Sequence, residues 1–308
     1  MMTIVGLKNN LSAREVGGKG HSLGVLAKND FNIPKGFIIT ISSFFNFLKY
    51  NSIIDKIETL SSRINIENFK QKSKEIRSLI LEGEISKDLI SEIKDYLNKL
   101  NVQYISVRSS AASEDSLKFS FAGLFDTFLN KRSESNLILV YIKKCWASLF
   151  NERAILYRLK KMIPQLEGMA VIIQEMVPAE ISGITFTVHP INKKALLIEA
   201  SYGLGDIIVS GEIEPDDYIL DRETLIIINK KIGNKSKMSI GQNGERGVIE
   251  VKKELSRKQV LSDNKVEEVA QVCKKIEKIF NYPQDIEWSI SNNKLWLLQS
   301  RPITGAIR

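Results

Sequence analysis

The sequence changes character near Pro164 and Gly168, and that change limits the folds open to the chain. Before it, apolar residues recur mostly at helical spacing; after it they fall in short runs of strand length. In the first part, 22–28 and 42–48 read as helices around an extended 37–40, and 52–100 as charged helices. Leu89, Ile93, Tyr96, Leu97 and Leu100 fall on one helix face, with Ser86 placed to cap it. A short strand over 104–107, a Gly/Ser-rich passage and a long helix over 135–160 follow. Beyond the change, strands are expected at 170–174, 183–188, 196–200, 218–221, 225–229 and 248–251, then a helix over 263–280 and a closing hairpin. The expectation is an α+β fold in two lobes, 1–165 with a helical insertion and 166–308 ending in the hairpin. Clefts between lobes are preferred ligand sites.

The hairpin carries the densest chemistry. Asp285-Ile286-Glu287-Trp288 and Leu297-Leu298-Gln299-Ser300-Arg301-Pro302 flank an Asn292-Asn293 turn. A carboxylate and an amide oxygen suit Mg²⁺, and a guanidinium suits phosphate. A two-residue turn would pair Glu287 with Leu298 and put Glu287 and Gln299 on opposite faces. A three-residue loop, 291–293, pairs Glu287 with Leu297, Asp285 with Gln299, Trp288 with Trp296 and Ile286 with Leu298. Cross-strand matching favours that second register. An ordinary amphipathic hairpin with its polar side in water remains the competing reading.

Other segments are weaker singly. Val16-Gly17-Gly18-Lys19-Gly20 lets the backbone approach a ligand beside a lysine, but it is not a Walker A loop; a tight turn with a solvated lysine reads equally well. Arg108 leaves a strand end into 109–113, a run of small residues, as phosphate-binding side chains often do. An ion pair of Arg108 with Glu114 or Asp115 is the plainer alternative. Ser120 to Thr127 offers a second small loop, and Ile172 to Pro178 ends a strand whose backbone could meet an adenine edge or simply be buried. Tyr202-Gly203-Leu204-Gly205 lacks the third glycine of a Rossmann fingerprint, and 205–211 could cover a ligand.

Composition removes several classes. Apolar content of 43% and charged content of 26% are those of an ordinary globular protein. No apolar run is long enough to span a membrane and no signal peptide is apparent, so a cytoplasmic protein without a membrane partner is expected. Cys145 and Cys273 are far apart and near no histidine, which suggests buried residues rather than a metal site or disulfide. The net charge of +8 suits an anionic ligand. Its lysines lie scattered among carboxylates, which argues against a nucleic-acid partner. His21 and His189 are isolated, with no neighbouring carboxylate to make either an obvious acid or base.

Taken in order, the segments VGGKGHSLGVL, IPKGFIIT, ISVRSSAASEDS, SFAGLFDTFLN, IKKCWASLFNERAILYR, VIIQEMV, SGITFTVHP, YGLGDIIVSGEIEPDDYIL and PQDIEWSI with LWLLQSRPIT resemble one family. They look like the N-terminal nucleotide-binding domain of phosphoenolpyruvate synthase, pyruvate phosphate dikinase and rifampin phosphotransferase. The resemblance runs from about residue 14 to 304. It implies an ATP-grasp fold whose lobes clamp ATP, with ATP and Mg²⁺ as cofactors. It implies that Lys19, Arg108 and Arg301 hold the phosphates and that Gly123 and Thr127 shape their pocket. It implies that Gln174, Glu175 and the backbone through Val177 hold adenine, and that Glu287 and Gln299 bind Mg²⁺. Leu124 stands where the family often has Gln, and Ile191-Asn192-Lys193 replaces a frequent Thr-Gly, which bears on loop geometry.

The resemblance further implies that ATP phosphorylates a histidine on a swivelling domain, with AMP and phosphate released. Neither His21 nor His189 lies in that domain's Ser-His setting, so a separate partner chain is expected to carry the histidine and the acceptor site. The final acceptor, pyruvate or a hydroxyl-bearing small molecule, is left open. A catalytically inactive nucleotide-binding regulatory subunit is the alternative, and a basic nucleic-acid binder a third reading.

Overall fold

The computed structural model describes residues 2–9, 11–112, 114 and 123–303. Ser113 and 115–122, which carry part of the expected phosphate loops, lie outside the described residues. The chain forms two compact units, Met1–Gly24 with Lys35–Met176, and Val25–Pro34 with Val177–Arg308. The division therefore falls after Met176, not at residue 165, and the second unit takes a piece of the N-terminal region.

The first unit runs β1 (Ile4–Gly6), α1 (Ala13–Lys28, which crosses the division), β2 (Gly36–Ile39), α2 (Ile41–Tyr50), α3 (Ile54–Ser62), α4 (Phe69–Glu82), α5 (Lys87–Leu100), β3 (Tyr104–Ala111), β4 (Thr127–Arg132), α6 (Ser135–Ser148), α7 (Glu152–Lys161) and β5 (Met169–Glu175). Its sheet has the order β1-β2-β5-β3-β4 with antiparallel neighbours. β5 lies between β2 and β3, which explains why 169–175 belongs here although its pattern resembles the strands that follow. Period-two alternation sends Phe37, Ile39, Ile105, Val107, Val171 and Ile173 into one core with the helices, which includes the fully buried Trp146. The Ser86 hydroxyl accepts from Leu89 N–H, and Leu89, Ile93 and Leu97 are buried on that helix, as the heptad-like spacing suggests. The helix expected over 135–160 is two helices. Asn151 leaves helical geometry (φ −58°, ψ 143°), and its side-chain amide donates to Asp126 at 3.0 Å instead.

The opposite face of that sheet carries Ser106, Arg108 and Ser110 beside Gln174, Ile172 and Ala170. α1 packs there, kinked at Gly17 (φ 72°). A Cβ on Gly17 would lie 2.1 Å from the Ser110 carbonyl oxygen. Ser110 Oγ also donates to Val16 O at 2.7 Å and accepts from Gly20 N–H at 3.0 Å. The glycine at 17 thus serves the chain's own close packing, in keeping with the tight-turn alternative.

The second unit continues with β6 (Ile181–Phe186), β7 (Ala195–Tyr202), α8 (Asp206–Val209), β8 (Asp216–Asp221), β9 (Ile227–Lys231), β10 (Lys237–Gln242), β11 (Glu245–Glu250), α9 (Lys253–Ser256), α10 (Asp263–Phe280), β12 (Gln284–Ser291) and β13 (Lys294–Pro302). Six strands form one sheet, β13-β12-β6-β7-β8-β9, and β10 pairs with β11. Ile286, Trp288, Ile290, Leu295 and Leu297 join Leu196, Ile198 and Tyr218 in a core with Val266, Val269, Cys273 and Ile276 of α10. Leu26 belongs to this core, and Leu297 N–H donates to Asn32 O at 2.8 Å, which ties 25–34 to the second unit. Both cysteines are buried; burial pushes the Cys145 thiol up and that of Cys273 up to about 12, so neither is a nucleophile.

Gly17→Ala should lower stability by about 2–5 kcal/mol, from the left-handed backbone plus overpacking against β3. Chemical denaturation measures this; wild-type stability in the variant would contradict the packing described.

Candidate functional site

The hairpin of β12 and β13 turns on Asn292 (φ 50°) and Asn293 (φ 60°), the left-handed pair that a two-residue type I′ turn requires. Near the tip the register is Ser291↔Lys294 through Trp288↔Leu297. It then shifts between Glu287 and Trp288, and Glu287 faces Gln299 while Asp285 faces Arg301. The three-residue loop expected from the sequence, with Glu287 opposite Leu297 and Asp285 opposite Gln299, does not form. Two asparagines tolerate the tighter turn, and a β-bulge absorbs Leu298. Glu287 and Gln299 still share a face, as direct cross-strand partners.

On that face Arg301 donates from Nε and Nη2 to Asp285 Oδ2, at 2.8 and 2.7 Å. Asp285 Oδ1 is buried with no hydrogen-bond partner among the described residues. Burial holds the Asp285 carboxyl above its usual range; Arg301 acts in the opposite direction and Glu287 adds to the rise. The register continues across the sheet from Glu287 to Ile184, Glu199 and Asp217. Glu199 is raised by burial, then by Asp217 and Asp285. Asp217 is raised by burial against the opposing pull of Lys231.

This donor set fits Mg²⁺. Glu287 and Gln299 supply a carboxylate and a neutral oxygen, and the orphaned Asp285 Oδ1 shares their face. Among the described residues no group of three His, Cys, Asp or Glu could hold a metal by itself. Mg²⁺ is ordinarily held by one or two protein oxygens plus phosphate and water, so a sparse set is what a nucleotide-bound ion requires. Asp285, Glu199 and Asp217 were not singled out from sequence as site residues. Asp285 had a signal, since it stands two residues from Glu287 and hence on the same face. Glu199 and Asp217 had none, because their alignment depends on the order of the intervening strands.

The first unit holds the other expected residues. Lys19 Nζ contacts Glu114 Oε1 at 2.5 Å and Ser109 O at 3.3 Å. Glu114 therefore engages Lys19, a partner the sequence did not suggest. Arg108, 7% exposed, sits on β3 opposite Thr127 of β4 and Ile172 of β5. Lys19, Arg108 and Thr127 are thus gathered around one stretch of β3. Gly123 has φ 68°, and a Cβ there would meet nothing within 4 Å, so backbone geometry and not crowding favours glycine. Gln174 is buried on the Arg108 face of the sheet, opposite Ser106. The Glu175 and Met176 N–H groups are spent on Lys35 O (2.7 Å) and Tyr104 O (3.0 Å). The Val177 N–H has no acceptor among the described residues, which leaves one backbone donor for a ligand edge at this strand end.

With this geometry in view, the comparison with known proteins decides the family. The pyruvate phosphate dikinase AMP/ATP-binding domain matches residues 13–308. The chain belongs to that family. Its architecture is α+β, as the sequence leads one to expect. It is 38% identical to a probable phosphoenolpyruvate synthase of Methanocaldococcus jannaschii, over 98% of this chain and 27% of that protein. It is 37% identical to the rifampicin phosphotransferase of Bacillus cereus, over 94% of this chain and 34% of that protein. The chain spans about a quarter to under half the length of such relatives. Among solved structures, a D-alanine–D-alanine ligase of Bacillus anthracis aligns over 94% of this chain and 57% of its own, with 7% identity and a TM-score of 0.36, too slight to argue from. No helix among the described residues is long and apolar enough to cross a membrane.

The acidic row predicts a pH effect. The folded Glu199 carboxyl binds its proton more tightly than the unfolded chain does, so its ionisation opposes folding as pH rises from near 4.5. Glu199→Gln should be more stable than wild type at pH 7, with the difference vanishing by about pH 4 in denaturant titrations.

Proposed function

We propose that the chain is the ATP-using component of a dikinase-type phosphotransferase. In this reading Lys19, Arg108 and Arg301 hold phosphates of the nucleotide, and Glu287 and Gln299 its Mg²⁺. The observation that carries this reading is the hairpin register, in which a carboxylate faces an amide oxygen beside a paired guanidinium. Phosphoryl transfer asks the protein mainly to position groups and neutralise charge. Lys19 and Arg301, each already paired with a carboxylate, orient the phosphates more than they neutralise them. Gln174, Glu175 and Val177 hold adenine, with Gly123 and Thr127 beside the phosphates. Mg²⁺, held by Glu287 and Gln299, would neutralise charge on the phosphate oxygens.

The phosphoryl group passes to a histidine outside residues 1–308, on a swivelling-domain partner that also leads to the acceptor site. The greater length of the relatives supports this. So does the state of the two histidines here. His21 Nδ1 is 2.8 Å from Leu11 O, and His189 Nδ1 accepts from the Ile191 and Asn192 N–H groups at 3.0 Å. Overall, ATP, water and histidine give AMP, inorganic phosphate and phosphohistidine. Pyruvate or a hydroxyl-bearing small molecule then takes the group.

The test is incubation with Mg-ATP and a separately prepared protein bearing the swivelling-domain histidine. AMP and phosphate should appear together with an acid-labile phosphohistidine. Nucleotide binding with no AMP under those conditions would contradict the proposal. The Lys19→Met/Glu114→Gln double variant, which leaves no buried carboxylate unpaired, should abolish AMP formation while keeping the fold by circular dichroism.

A further inference from the structure

Glu114 is a carboxylate only 4% exposed, for which the sequence suggests no more than an ion pair with Arg108. Its Oε1 takes Lys19 Nζ at 2.5 Å, and its Oε2 accepts the Ala111 N–H at 3.2 Å. Both oxygens are therefore fixed, one to the backbone of β3 and one to the lysine. An ammonium has three N–H donors. Two of those on Lys19 reach Glu114 and Ser109 O; the third has no acceptor among the described residues.

The backbone beneath Lys19 is equally fixed. Ser110 Oγ bridges Val16 O and Gly20 N–H, and Gly17 rests on the Ser110 carbonyl. A lysine on so tight a turn still has a flexible four-carbon stem. The Lys19 and Glu114 side chains are 11% and 3% exposed, so withdrawing the ammonium would leave a buried carboxylate uncompensated. The pair is a fixture and not a latch that opens when an anion arrives.

We propose that Glu114 is a positioning residue: it pins the Lys19 ammonium so that its remaining N–H meets a phosphate oxygen of the bound nucleotide. This rests on the nucleotide-binding reading above. Orientation held before binding spares the ordering that a free lysine would pay on contact. The benefit therefore falls on the phosphates and not on adenosine.

Calorimetric titration with Mg-ATP and with adenosine separates the cases, using wild type, Lys19→Met, Glu114→Gln, Glu114→Asp and the Lys19→Met/Glu114→Gln double variant. Glu114→Gln should weaken Mg-ATP by about tenfold or more, the worth of one charge-assisted contact, and leave adenosine within about twofold. Glu114→Asp should recover part of the loss. The double variant should bind Mg-ATP no more weakly than Lys19→Met alone. Unchanged Mg-ATP affinity in Glu114→Gln, equal loss for both ligands, or additive losses in the double variant would overturn the inference. If Glu114→Gln does not fold, Glu114→Asp decides: a loss confined to Mg-ATP supports the role, and wild-type affinity overturns it. Wild-type protein that binds no Mg-ATP would instead overturn the nucleotide reading itself.

Discussion

One extra residue in β13 organises the chemistry of the second unit. Trp288 and Leu297 must face α10, because the core there is built on them. A regular ladder from the Asn292-Asn293 turn would then place Leu298 opposite Glu287 and turn Gln299 and Arg301 toward that core. The bulge at Leu298 lets both demands be met. Apolar residues stay inside on the tip side of the bulge. Beyond it, Asp285, Glu287, Gln299 and Arg301 come to one polar face. Bulges often re-aim side chains next to active sites. The indole of Trp288, which donates to Thr185 Oγ1 at 2.8 Å, anchors the strand at the point where the register changes.

The first unit reaches a similar end by another route. Its sheet separates an apolar face, buried under helices, from a face carrying Arg108, Ser110 and Gln174. α1 is drawn onto that second face at Gly17, where no side chain fits. That approach places Lys19 beside Ser109 and within reach of Glu114. In both units a cation is held by a buried carboxylate, Lys19 by Glu114 and Arg301 by Asp285. Buried pairs of this kind contribute little net stability but fix geometry. Fixed geometry is what a phosphate site requires, since a cation already in place needs no reordering when charge develops.

Much of this could be read from the residues. The 263–280 helix is found with the bounds its periodicity gives. The α5 cap and buried face follow from Ser86 and the spacing of Leu89, Ile93 and Leu97. Sharing of one face by Glu287 and Gln299 was also legible, although the turn length inferred to achieve it was wrong. Bulges leave no local pattern: Leu298 simply repeats the apolar Leu297 before it. The break between α6 and α7 was missed because Asn151 is held by Asp126, a distant residue whose pairing no helical periodicity reports. The same is true of the wholly buried Asp216, which binds Lys235, the Gly233 N–H at 3.0 Å and the Val260 N–H at 2.8 Å. Strand order, set by the antiparallel partners of β5 and β6, determines which carboxylates meet, and no window of sequence contains it.

The central claim is that Glu287 and Gln299, made cross-strand partners by the bulge, hold the metal ion of a bound nucleotide. Mn²⁺ titration followed by water-proton relaxation, with and without ATP, tests it on wild type and on Glu287→Gln. The account predicts an ATP-dependent Mn²⁺ site in the wild-type chain that weakens by about tenfold or more in the variant, the scale of one lost charge-assisted contact. Equal Mn²⁺ affinity in the two proteins would contradict it.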